Sequence, residues 1–259
     1  QAFLDLAYSF HQETEKILFN ALSRTRKGLV ACWFEISDSL QHMFFRYLDK
    51  SHPALRTTAQ LKDGASVIET LYKKLDALAG QVLEQCNDRT CLIIMSDHGF
   101  NPYRWGFNLN TWLLQTGYHY LLPGSRPEEV TLFQQTDWSR TKAYGVGLNA
   151  LYLNLKGRES QGIVSTAERE ALTRHLANQL EQLVDPRTGE KVILKAYISR
   201  EVYHGPYVDL APDIILGFNR NYRISWNSPL GNFPRELIED NRQKWSGDHM
   251  SSPAVIPGS

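Results

Sequence analysis

Two apolar runs that end in the same dipeptide constrain this chain more than any other feature. Gly28-Leu-Val-Ala-Cys-Trp-Phe-Glu-Ile36 runs into Ser37-Asp38, and Cys91-Leu-Ile-Ile-Met95 runs into Ser96-Asp97. Both are nearly uninterrupted and rich in strand formers, so each reads as a strand buried on both faces. Helical stretches alternate with them. Residues 11–24 look helical, and residues 65–83 place Ile68, Leu71, Leu75, Leu78 and Val82 at helical spacing, an amphipathic helix of about five turns. This alternation predicts an α/β fold with a largely parallel central sheet and helices on both faces. In such sheets ligands bind beyond the carboxyl ends of the strands, which is where Asp38 and Asp97 fall.

The remainder is less regular. Asn108-Leu-Asn-Thr-Trp-Leu-Leu114 opens a short helix, residues 117–147 carry turn residues, and Ala150–Leu155 alternates like a strand. Ser165-Thr-Ala-Glu168 is a capping box, and Leu172, Leu176, Leu180 and Leu183 mark the helix after it, predicted over 166–184. Residues 191–198 and 213–218 are further strand candidates. No repeat or linker interrupts the 259 residues, which read as one α/β domain. The start at Gln1 without Met and the stop after an apolar Pro-containing run suggest a piece of a longer polypeptide.

Charge narrows the class of partner. Lys and Arg number 28, as do Asp and Glu, and this balance argues against electrostatic capture of duplex nucleic acid or an anionic membrane. No apolar run approaches the roughly 20 residues of a membrane span. Small ligands, recognised locally, remain. Cys32 and Cys91 lie within the apolar runs and are expected to be buried, reduced thiols. Few cysteines and no glycosylation acceptor favour a cytoplasmic setting.

The chemistry-bearing residues sit at the ends of the two runs and near the C-terminus. Asp38-Ser-Leu-Gln-His42 puts a carboxylate and an imidazole at i and i+4, on one side of a helical turn. Asp97-His98-Gly99 adds a second pair, and Trp245-Ser-Gly-Asp248-His249 a further imidazole. Such a mixed N/O set suits zinc or a similar divalent ion. Asp248 either orients His249 or faces water. His11, His52, His119, His175 and His204 lack ligand spacing, and Asp213 reads as a turn or capping residue. Trp33, Phe34, Phe44, Phe45 and Tyr47 read as core or site-wall aromatics.

In order and flanks, these three segments resemble the type I phosphodiesterase/nucleotide pyrophosphatase family of the alkaline phosphatase superfamily. Asn108-Leu-Asn-Thr-Trp-Leu, Lys142-Ala-Tyr144 and Ala211-Pro-Asp213 extend the likeness along the chain. The resemblance implies an alkaline phosphatase-like fold and two divalent ions, zinc or alternatively manganese. Asp38, His42 and His249 would hold one ion, Asp97 and His98 the other. The implied reaction is hydrolysis of a phosphodiester or pyrophosphate through a Thr or Ser nucleophile, with a small phosphate ester or nucleotide as substrate.

The family's nucleophile and a further Asp ligand precede the region that matches here. The resemblance therefore implies a catalytic domain continued upstream, with this piece inactive by itself. Ser37, Ser39 and Ser96 are poor substitutes, because a neighbour of a ligand on a strand points to the opposite face. Other readings are a phosphomonoesterase, sulfatase or phosphomutase of the same superfamily, or a metal-binding domain without catalysis.

Overall fold

A computed structural model describes residues 1–56 and 61–256. The chain divides into two compact units, one formed by Gln1–Phe100 with Arg242–Asp248 and the other by Asn101–Asn241 with His249–Ser259.

The first unit is built on three helices: α1 (Ala2–Arg24), α2 (Ile36–Phe44) and α3 (Val67–Leu83). Leu4 of α1, Ile36, Leu40 and Phe44 of α2, and Val67, Ile68 and Leu71 of α3 form its core. Their spacing puts one apolar stripe of each helix inward, and the packing of those stripes holds the helices more than propensity does. The predicted helix at 65–83 is thus present as α3, entered through a 3-10 turn at Gly64–Ser66.

The two apolar runs do not form the expected strands. Residues 29–34 and 91–96 have no regular structure, and Trp33 (75% exposed), Ile93, Ile94 (73%) and Met95 face outward. A buried strand needs a ladder partner on each side. No ladder pairs either run among the described residues. Cys32 and Cys91 are accordingly exposed, free thiols rather than buried ones, and Trp33 is not a core aromatic, whereas Phe44 is.

In the second unit the strands are β1 (Asn101–Phe107), β2 (Ala143–Gly145), β3 (Ala150–Leu153), β4 (Ile193–Ile198), β5 (Ile214–Phe218), β6 (Asn221–Ile224) and β7 (Ile238–Asp240). One sheet has the order β2-β3-β5-β4 and every adjacent pair in it is antiparallel. The other runs β6-β1-β7, with β1 parallel to β6 and antiparallel to β7. One sheet is therefore antiparallel and the other mixed, and neither is largely parallel. The physical cause is visible at β2 and β3, where a four-residue loop with Gly147 and Asn149 at positive φ reverses the chain directly. A parallel partner would need a crossover, which that loop is too short to make.

Two helices accompany these sheets: α4 (Leu109–Gln115) and α5 (Thr166–Glu181). The capping box opens α5 as predicted, with the Ser165 hydroxyl accepting from the Glu168 N–H and the Glu168 carboxylate accepting from the Ser165 N–H. Leu176, Ala177 and Leu180 of α5 join Leu151, Leu153, Ile193, Ile214 and Leu216 in the core. Asp213 is no mere turn residue. It is buried, accepts from the Leu153 N–H at 2.8 Å, and pairs with Arg158 at 2.8 Å and Arg169 at 2.7 Å. Two guanidinium groups and a backbone donor offset the desolvation of that carboxylate.

Candidate metal centre

The Asp38/His42 pair lies on α2, where the sequence spacing places it. Asp38 is in the first turn and His42 in the last, and the helix brings His42 Nε2 to 3.4 Å from Asp38 Oδ1. His98 approaches the same carboxylate oxygen, with Nε2 at 3.8 Å, and stands 3.7 Å from Asp97 Oδ2. Four of the five expected ligands thus gather in the first unit. His249, directly after Asp248 in the chain, is assigned to the second unit.

Burial is graded across the group. His42 is buried, Asp38 and His98 are half-buried, and Asp97 is 82% exposed. Phe100 forms one wall, with ring centroids 4.8 Å from His42, 5.6 Å from His98 and 6.1 Å from Phe45. Phe45 and Phe44 therefore keep the structural roles expected from the sequence, one at the site wall and one in the core.

The imidazole orientations can be tested against what a cation requires. His42 Nδ1 lies 2.7 Å from the Gly247 carbonyl oxygen and His98 Nδ1 lies 3.2 Å from the Gly99 carbonyl oxygen. A carbonyl can only accept, so each Nδ1 carries the hydrogen and each Nε2 presents its lone pair toward the carboxylates when the ring is neutral. Lone pair facing carboxylate is repulsive unless a cation lies between. This is the pattern of ligating histidines whose other nitrogen is anchored by backbone. The donor set fits a divalent ion.

The serines near these ligands do other work. Ser39 donates to Glu35 Oε1 at 3.3 Å, and Ser96 donates to the His98 carbonyl at 2.6 Å. Ser37 and Ser39 sit on a helix, so the expectation built on strand alternation does not describe their directions. His175 is exposed on α5 and His204 is exposed, whereas His52 and His119 are buried. Asp248 is buried and accepts from Trp245 Nε1 at 2.9 Å, so it does not simply face water. Trp245 and the Gly247 carbonyl were not legible as site components. The one available signal was their place in the segment that ends in His249.

As a class, Asp and His side chains grouped in this way are the donors that hold divalent ions in proteins. The particular family follows from comparison: the family model for type I phosphodiesterase / nucleotide pyrophosphatase matches residues 3–245, and the chain belongs to that family. The match includes Asp38, His42, Asp97 and His98 and ends before His249. No curated protein and no solved structure matches the chain. Among the described residues, no helix is long and apolar enough to cross a membrane.

Proposed function

We infer that this chain carries the metal-holding part of an enzyme that hydrolyses phosphodiester or pyrophosphate bonds in small phosphate esters or nucleotides. One observation carries the reading. The donor atoms of Asp38, His42, His98 and Asp97 are spaced at 3.4, 3.8 and 3.7 Å. These separations exceed an ordinary hydrogen bond, about 2.9 Å. Tetrahedral zinc bonds of about 2.1 Å put donors about 3.4 Å apart, close to the His42–Asp38 and His98–Asp97 separations within each proposed pair. Family membership supports the same reaction class.

In this proposal Asp38, His42 and His249 hold one divalent ion and Asp97 and His98 contribute to a second, with zinc the first candidate and manganese the alternative. When bound, such ions polarise phosphoryl oxygens and make water acidic enough to react near neutral pH. The protein's own contributions are distinct from that chemistry. Asp38 offers one carboxylate oxygen to both imidazoles, and the backbone carbonyls of Gly247 and Gly99 fix which nitrogen of each ring points inward. Phe100 packs against both rings, while Asp97 lies exposed to solvent. The reaction calls for a Thr or Ser nucleophile, and the serines beside the ligands are engaged elsewhere, Ser39 with Glu35 and Ser96 with the His98 carbonyl.

The test is metal analysis of the purified chain, together with hydrolysis of an aryl phosphodiester by the natural polypeptide that contains it. Bound transition metal and turnover abolished by a chelator and restored by zinc or manganese are expected. Protein free of such metal at saturating zinc, with turnover indifferent to the chelator, would refute the proposal.

A further inference from the structure

One short segment, Trp245–Asp248, grips His42 from several directions. The Ser246 N–H donates to the His42 carbonyl at 2.6 Å, and the Gly247 carbonyl accepts from His42 Nδ1 at 2.7 Å. The Trp245 indole lies on the imidazole with centroids 3.6 Å apart and planes 26° from parallel. The indole is fixed in turn, because its Nε1 donates to the buried Asp248 carboxylate at 2.9 Å. Gly247 permits this close approach. A Cβ there would stand 2.5 Å from the Gln41 carbonyl oxygen and 2.7 Å from the Phe45 ring.

These contacts divide the work of orientation. The terminal torsion of a histidine is broad and roughly two-fold, so a backbone anchor at Nδ1 alone leaves ring flips that exchange its nitrogen and carbon positions. A planar aromatic group stacked on the ring face, together with the Phe100 ring near-perpendicular to the imidazole at a centroid separation of 4.8 Å, closes the space such a flip would sweep. Asp248 keeps the indole from turning away.

We propose that Trp245, anchored by Asp248, is a positioning residue that locks His42 in one rotamer and in the Nδ1–H tautomer, so that Nε2 stays directed at Asp38. The consequence for metal affinity rests on the reading of His42 as a ligand; the tautomer and its dependence on Trp245 do not. The residue acts through His42 and touches no reacting atom.

The test uses the metal-free full chain at pH 8, with the histidine ring nitrogens observed by long-range proton–nitrogen correlation, and zinc titration in parallel. Wild-type His42 is expected to show a protonated Nδ1 and an unprotonated Nε2. Trp245→Ala is expected to average the two nitrogens and to weaken zinc binding about 10–100-fold, the usual cost of losing support behind a ligand. Trp245→Phe, which keeps an aromatic face but loses the indole donor, should show a smaller change of the same kind, and it carries the test if the alanine variant fails to fold. His175→Ala should change neither readout. A purely structural role would lower the melting temperature and leave the ring nitrogens as in the wild type. An Nε2–H tautomer in the wild type, or both Trp245 variants with wild-type nitrogens and zinc affinity, would overturn the proposal. Wild-type protein that binds no zinc while His42 behaves as expected would refute the metal reading and leave the positioning role standing.

Discussion

Acid should weaken the second unit through one buried imidazole. His119 is fully buried, with Nδ1 3.2 Å from the Ala143 carbonyl oxygen and Nε2 3.0 Å from Thr136 Oγ1. Phe133, Trp138 and Phe233 surround it, the last with ring centroids 4.7 Å away. Burial disfavours the charged ring, while the Ala143 carbonyl acts weakly the other way, and the pKa falls from 6.5 to about 4. In the unfolded chain the same histidine takes up a proton near pH 6.5. The unfolded state therefore binds more protons between those values, and stability is complete above pH 6.5 and declines as pH falls toward 4. At about 1.4 kcal/mol per pH unit, the loss approaches 2 kcal/mol at pH 5 and about 3 kcal/mol at pH 4, a substantial fraction of ordinary domain stability.

The assay is urea unfolding at pH 7.5 and pH 5, followed by tryptophan fluorescence, to which Trp138 beside His119 contributes. Carboxylates titrate over part of the same range, so the wild type must be compared with His119→Gln. Glutamine can donate to the Ala143 carbonyl and accept from the Thr136 hydroxyl but does not titrate. The stability lost between the two pH values should be smaller in the variant by about 2 kcal/mol. Equal losses in the two proteins would refute the assignment of this pH dependence to His119.

Asp213→Asn leaves Arg158 and Arg169 facing a neutral group in a buried setting, and should cost about 3 kcal/mol in chemical denaturation. Ser165→Ala removes the hydroxyl half of the α5 capping box and should cost about 1 kcal/mol, seen as a lower unfolding midpoint at unchanged denaturant dependence. His249→Ala should reduce zinc affinity in titration calorimetry far more than His175→Ala, whose side chain is exposed on α5; equal effects would remove His249 from the proposed ligands.

The features legible in the sequence share a local origin. The meeting of Asp38 with His42 follows from helical geometry once α2 exists, because residues four apart share a face. The capping box at Ser165 and the apolar stripe of α3 are equally local, and both appear where the pattern places them. Pairing direction was not local. The alternation of helices with apolar runs favoured a parallel sheet, but strand partners are chosen by loop length and by which edges remain free, and the short β2–β3 connection gives an antiparallel pair. The runs at 28–36 and 91–95 show the limit plainly: their composition favours strands, yet composition cannot supply the neighbouring backbone that a strand needs.

The same division holds within the candidate metal centre. By itself the sequence determined which side chains could serve as donors and which two of them a single helix would align. Tertiary structure decided that His98 shares an oxygen of Asp38 with His42, that Asp213 serves two arginines, and that Trp245 and the Gly247 carbonyl grip a histidine some 200 residues earlier in the chain. The reason is physical. Periodicity and capping are settled by interactions within a few residues, whereas the direction of an imidazole nitrogen depends on contacts that exist only after distant segments have packed together.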